Sequence, residues 1–97
     1  MVAGLIRNRH ALPPHVKNYV WDYDMTSDEI VDIDWQEQYA LDWVKDNIKP
    51  GESLNLYVTG LTAALVSMIN ACHYLDVPLI LWHYDREKKD YYKQVVL

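Results

Sequence analysis

The chain has 97 residues, 51% of them hydrophobic, and a formal net charge of −5. Four Trp and eight Tyr supply ample core material, which is typical of a folded domain and excludes a disordered chain. The acidic total argues against a general nucleic-acid or membrane-surface binder, which would need a basic field, and we expect no duplex nucleic acid as a partner. One cysteine, Cys72, excludes an internal disulfide, and its apolar surroundings indicate an inert buried thiol.

Targeting signals and metal motifs are not recognisable in the sequence. The first residues lack a basic n-region with a long apolar core, and no apolar run approaches the ~18 residues that span a bilayer. The four histidines are too scattered for a zinc motif. We therefore expect one cytoplasmic domain over residues 1–97, with no metal, cofactor or membrane partner.

The N-terminal part of the chain predicts two short strands. Residues 2–7 form an apolar run typical of a strand, after which Pro13 and Pro14 allow only a loop or a single helical turn. Residues 18–24 alternate aromatic with other side chains, which favours a second strand.

A single helix is predicted from Thr26 to about Ile48. Thr26 and Ser27 offer capping hydroxyls before two acidic residues, and Lys49-Pro50-Gly51 ends the helix. On a helical wheel one face collects most of the apolar residues: Ile30, Ile33, Ala40, Leu41, Val44 and Ile48.

Two features of this helix depart from a simple apolar face. Val31, Trp35 and Tyr39 point the opposite way on the wheel, which predicts an exposed aromatic stripe that contacts a partner. Glu37 falls at the centre of the apolar face, which indicates either a shifted helix register or a structural salt bridge, since an unpaired buried charge is costly.

The rest of the chain alternates apolar runs with turns. Its predicted elements are a third strand (54–58), a turn (59–62), a second helix (63–75), a fourth strand (77–82), a charged turn (85–90) and an edge strand (91–96). Strands that alternate with helices indicate a parallel sheet with right-handed crossovers. The predicted fold class is α/β, a small Rossmann-like three-layer sandwich with a mainly parallel sheet and a C-terminal edge hairpin.

Polar and basic residues follow three of the predicted strands. They are Arg7, Asn8, Arg9 and His10 after the first, Thr59, Gly60, Leu61 and Thr62 after the third, and His83, Tyr84 and Arg86 after the fourth. Ligands of open α/β sheets bind outside the carboxyl ends of the strands, an edge that we call the rim. Arginine, imidazole and hydroxyl donors at this rim predict a small anionic ligand, most plausibly a phosphorylated one.

Each group has a chemical rationale. Gly60 lets backbone N–H groups approach an anion, and Thr59 and Thr62 add hydroxyl donors, although Thr62 also fits a helix cap. Arg7 and Arg9 lie on the same side of a continuous strand and can donate to phosphate in pairs, or else form ion pairs with the acidic first helix.

His10 and His83 are the candidates for catalysis. A histidine titrates near neutral pH and can act as a general acid or base, whereas a structural or hydrogen-bonding role is the commoner one for a lone histidine.

The segment Tyr57-Val-Thr-Gly-Leu-Thr62, between a strand and a helix, resembles a motif of CARF domains. CARF domains often carry a second Gly and a Lys in this turn, where this chain has Leu61 and Ala63. The short first strand that ends in Asn8-Arg9-His10 is similar to that of small CRISPR-associated ring nucleases. The resemblance implies a homodimer or higher homo-oligomer that encloses a cyclic oligonucleotide between two rims.

Three functions remain open from the sequence. The first is a binding module that sequesters a cyclic (oligo)nucleotide immune second messenger, as a phage sponge also does. The second is a metal-independent phosphodiesterase, a ring nuclease, in which a ribose 2′-hydroxyl attacks the adjacent phosphate. The third is a small protein-interaction module that docks through the aromatic stripe or the charged hairpin.

Overall fold

The computed structural model describes residues 1–97 and has an α/β fold with five strands and three helices. The elements are β1 (Val2–Ile6), β2 (Tyr19–Trp21), α1 (Ser27–Val31), α2 (Ile33–Asn47), β3 (Leu54–Tyr57), α3 (Thr62–Tyr74), β4 (Leu79–Asp85) and β5 (Asp90–Val95). The strand order is β2-β1-β3-β4-β5, with every neighbouring pair parallel except β4 and β5. The predicted α/β class, the mainly parallel sheet and the C-terminal edge hairpin are confirmed.

Both long helices lie on one face of the sheet, so the expected three-layer arrangement is wrong. The crossovers β2–β3 and β3–β4 run in the same direction along the sheet, and right-handed crossovers in one direction place their helices on one face. Accordingly α2 contacts α3 directly, while β1 and β2 are joined by a loop rather than a helix. The chain measures only 20 Å in its thinnest direction, which fits two layers.

Alternate residues of the three central strands form the core beneath the helices. Ala3, Leu56 and Leu81 are neighbours across β1, β3 and β4, and all three are buried against the helix layer. Leu54 and Leu79, which are neighbours at the N-terminal ends of β3 and β4, are fully buried as well. No helix of the fold is both long and apolar enough to cross a membrane.

The predicted first helix is divided at Asp32. The expected capping hydroxyl is Thr26, which forms a capping box with Glu29 and begins α1. Immediately after α1, the Asp32 carboxylate accepts a hydrogen bond from the Trp35 N–H at 3.0 Å. Asp32 is therefore the N-cap of α2. A second acidic N-cap within a continuous apolar pattern is the signal that the sequence interpretation overlooked.

The division rotates the buried face of α2, so the predicted outward aromatic stripe is wrong. Gln36, Ala40 and Val44 face the core, whereas Ile33 is 48% exposed. The Tyr39 ring stacks on buried Trp21 with centroids 5.0 Å apart, and its hydroxyl donates to the Val20 carbonyl. Trp35 packs beside Tyr39, with its ring centroid 5.3 Å away. The interaction-module hypothesis therefore loses one of its two docking surfaces, the stripe, and keeps the charged hairpin.

The same rotation explains Glu37. Its side chain lies half-buried at the flank of α2 and accepts a hydrogen bond from Asn70 of α3 at 3.1 Å. Of the two alternatives that the sequence left open, a shifted register holds and a salt bridge does not.

The loop after β1 covers part of the sheet face that carries no helix. A methyl group placed on Gly4 would come within 2.7 Å of both Leu12 and the Tyr19 ring, so this glycine is required by close packing. His15 in the same loop lies 3.2 Å from the Tyr57 hydroxyl. The β4–β5 half of this face is left open.

Thr59 connects the ends of β1 and β3 in the interior. Its side chain is fully buried, and its hydroxyl both accepts from the Ile6 N–H and donates to the Ile6 carbonyl, each at 3.0 Å. The side chain thus continues the β1–β3 pairing two residues beyond the backbone register, which ends at Gly4 and Tyr57.

Replacing Thr59 with valine is expected to lower the free energy of unfolding by about 1–3 kcal/mol, because both polar groups of Ile6 lose their partner in the interior. Thr62→Val, at an exposed position with no capping bond, is the matched control and should change it by less than about 0.5 kcal/mol. Denaturant unfolding of both variants measures the difference. Equal effects would show that the Thr59 bridge contributes nothing to stability.

Cys72 is buried between α3 and the sheet, and burial raises the pKa of its thiol to about 11. We expect no reaction with a disulfide reagent at about pH 8 in the native state and full reaction after denaturation. Because the pKa in the unfolded chain is lower, near 9.0, the stabilisation from the neutral thiol is complete below that pH and disappears as the pH rises toward 11. Rapid labelling of the native protein would contradict this.

Candidate functional site

The structure places Arg9 directly against the glycine turn at the rim. A methyl group placed on Gly60 would lie 3.5 Å from Arg9 Cδ and 3.9 Å from Arg9 Nε. The Arg9 side chain, from the segment after β1, therefore passes over the turn that follows β3. Both segments adopt left-handed backbone conformations, with φ of 65° at Asn8, 38° at Gly60 and 49° at Leu61. These tight turns keep the two strand ends close together.

The turn before α3 presents a run of free backbone donors. The helix begins at Thr62 after Leu61, with no side chain bonded to its first turn. The first amides of α3 that donate to a backbone carbonyl are those of Ala64 and Leu65, both to Leu61. The N–H groups of residues 60–63 donate to no group of the chain, and a helix dipole adds positive potential there. Consecutive free amides of this kind are an anion-binding arrangement.

A cleft of about 340 Å³ opens beside this turn. It is lined by His10, Val58, His83, Tyr84, Arg86 and Tyr92. The cleft brings together groups from the ends of β1, β3 and β4, as the parallel strands predict. Three of its six residues can carry positive charge and two are tyrosines, a lining that suits an anion attached to a planar ring.

His83 is oriented by the edge strand. Its Nε2 lies 2.8 Å from Gln94 Oε1, and its ring packs on that of Tyr92 with centroids 5.3 Å apart. An amide oxygen can only accept, so this contact has the Nε2–H of His83 as its donor. His10, in contrast, is exposed and free to turn toward a ligand in the cleft.

Three of the rim predictions need correction. Thr59 is not a ligand donor, because it is buried and both of its hydrogen bonds go to Ile6. Thr62 does not cap α3, because it is the first residue inside the helix. Arg7 and Arg9 do not share one side of a strand, because β1 ends at Ile6 and the chain turns at Asn8.

Arg7 is instead committed to an ion pair. Its Nη1 lies 2.9 Å from Asp22 Oδ1, and both side chains are more than half exposed. The alternative of an ion pair therefore holds, although the acid follows β2 and is not on the first helix. Arg9 is left as the arginine of the N-terminal segment that faces the glycine turn.

Tyr92 was missed because the predicted fourth strand was too short. β4 continues to Asp85, so His83 and Tyr84 are strand residues paired with Tyr92 and Tyr91 of β5. Tyr84 just before the charged turn and Tyr91 and Tyr92 just after it are the signal that could have revealed this pairing. Nowhere do three or more His, Cys, Asp or Glu side chains form a group that could hold a metal ion.

Comparison with known proteins gives no relative for this chain. No protein family, curated protein or solved structure matches it. The resemblance to CARF domains thus rests on the turn motif and the strand layout alone, and the function is argued below from the rim itself.

Proposed function

We propose that the rim binds a phosphorylated small molecule, a cyclic (oligo)nucleotide second messenger, and sequesters it within a homo-oligomer. The observation that carries the proposal is the free amide run of residues 60–63 together with the Arg9 side chain, which lies against Gly60. Backbone N–H groups and an arginine together form charge-assisted hydrogen bonds with phosphate oxygens. The adjacent cleft supplies Arg86 and two histidines as further donors.

The size of the cleft supports a shared site. At about 340 Å³ it is near the lower limit for small-molecule sites, and it accommodates one nucleotide rather than a ring of several. A cyclic oligonucleotide would therefore extend across the rims of two or more copies of the chain. Such a Rossmann-like homo-oligomer is the arrangement that the CARF resemblance implies.

Sequestration is favoured over cleavage by the contacts of the two histidines. His83 Nε2 is bonded to Gln94 Oε1, and His10 is exposed with no hydrogen bond that positions it, so the two imidazoles are not arranged as an acid–base pair. The presence of both imidazoles at one cleft nevertheless makes a metal-independent phosphodiesterase the second candidate. In that reaction the 2′-oxygen bonds to phosphorus, the P–O5′ bond breaks, and the proton passes from the 2′-hydroxyl to the leaving 5′-oxygen through imidazole.

The test is to incubate the protein with a panel of cyclic nucleotides and to chromatograph the solution before and after heat denaturation. Depletion followed by release of intact ligand supports sequestration. Arg9→Gln should weaken capture by about tenfold to a hundredfold, because one charged phosphate contact is lost. Arg7→Gln is the matched control, since Arg7 is paired with Asp22, and should bind nearly as tightly as the parent chain.

Equal effects of the two arginine variants would reject the rim as the site, and no depletion of any cyclic nucleotide would reject the function. Linear products would establish the phosphodiesterase instead. In that case His10→Asn is expected to reduce the cleavage rate by about a hundredfold or more while binding persists. A rate unchanged in both His10→Asn and His83→Asn would exclude the histidines from catalysis.

A further inference from the structure

The charges of the chain are distributed unevenly along it. Residues 22–76, which contain all three helices and β3, carry eleven acidic and two basic side chains. The remaining segments, 1–21 and 77–97, carry seven basic and three acidic side chains, and one of the seven, Arg7, is paired with Asp22. These segments include the loop over the helix-free face and the whole β4–β5 hairpin. The acidic total of the chain therefore conceals two terminal segments with a net positive charge.

The open half of that face is aromatic. Tyr57, Trp82 and Lys93 are neighbours in one row across β3, β4 and β5, and Tyr84 and Tyr91 form the next row. We call these four rings the aromatic platform. Alternation along β4 places Trp82 and Tyr84 on the face opposite to buried Leu81, away from the helices.

The rings of the platform form a continuous chain of contacts. Tyr57 stacks on Trp82 with ring centroids 5.8 Å apart and planes 11° apart, and Tyr91 meets both Tyr57 and Tyr84 edge-on at 5.0 and 5.2 Å. The Trp82 indole N–H donates to Asn55 Oδ1, which fixes the ring. Tyr84 is 47% exposed, and Trp82 and Tyr91 are half-buried. Tyr57 is only 7% exposed, so Trp82, Tyr84 and Tyr91 form the accessible part of the platform.

A second copy of the chain is a poor occupant for this face. A symmetric contact would bring the basic segments of two copies together, and like charges destabilise such an interface. A polyanion that carries planar rings is complementary to both the charge and the aromatic surface. Aromatic rings on an open sheet face that stack successive bases, with lysines on the phosphates, are a recurring way of binding single strands.

We propose that the open β4–β5 half of the sheet binds a short single strand of nucleic acid by base stacking on the aromatic platform. The phosphate backbone passes Lys93 rather than Asp90, whose carboxylate would repel it. The site holds two or three bases, as other aromatic sheet faces do. This inference does not depend on the proposed function, because of the platform residues only Tyr84 also lines the rim cleft.

The test measures the fluorescence anisotropy of labelled oligodeoxythymidylate and oligouridylate of about ten nucleotides, with a duplex of the same length for comparison. We expect binding of the single strands that weakens steeply with salt, and none of the duplex. Tyr91→Leu should weaken it by about tenfold or more, through the loss of a stacking ring. Lys93→Glu should also weaken binding, and it should reduce the slope of log affinity against log salt concentration by about 1, the value for one phosphate contact.

Tyr74→Leu and Lys45→Glu on the helix layer are the matched controls and should leave strand binding unchanged. Arg9→Gln separates the two proposals, because it removes the contact that captures a cyclic nucleotide but leaves the platform intact. Absence of single-strand binding at low salt overturns the inference, as does equal binding by the platform variants and their controls. A dimer that is lost with Tyr91→Leu would show that a second copy occupies the face instead.

Discussion

The parallel alignment of β1, β3 and β4, which brings their carboxyl ends to one edge, is the constraint on which the rest of the molecule depends. The backbone ladder between β1 and β3 is short, and the buried hydroxyl of Thr59 extends it to Ile6. A buried hydroxyl that both donates and accepts fixes the separation of the two strand ends in a way that surface contacts do not. The turns that follow can then bring Arg9 against Gly60.

The one-sided helix layer follows from the strand order. Because β2 lies at the edge and the chain then crosses β1 to form β3, both helical crossovers run in the same direction and share one face. The other face is covered only by the loop after β1. This asymmetry leaves one half of an aromatic sheet face open. The two surfaces that we propose for binding, the rim and the aromatic platform, thus have their origin in one strand order.

Local signals in the sequence predicted most of the fold. Strand alternation, the Thr26 cap and the Gly60 turn each act over a few residues, so the elements and their parallel order could be derived. The division at Asp32 could not, because a capping carboxylate inside an apolar pattern also fits a solvated helix position. That single break rotated α2 and turned the expected aromatic stripe of Trp35 and Tyr39 inward.

The rim was predicted in position but not in the roles of its residues. Parallel strands alone bring His10, His83, Tyr84 and Arg86 to one cleft. Which polar side chains remain free depends on tertiary partners far along the chain: Thr59 bonds to Ile6 and Arg7 to Asp22. Such pairings leave no periodic pattern in the sequence from which they could be predicted. The same is true of the position of Tyr92, which reaches the cleft from the edge strand.

The most direct test of the central claim is a titration of the ¹⁵N-labelled protein with inorganic pyrophosphate, followed by amide chemical shifts. A rim that binds phosphate through free backbone donors requires the largest shifts at the amides of residues 60–63, together with movement of the Arg9 side-chain signal. If those amides stay in place while resonances of α2 or of the hairpin tip move, the anion binds elsewhere and the rim is not the functional site.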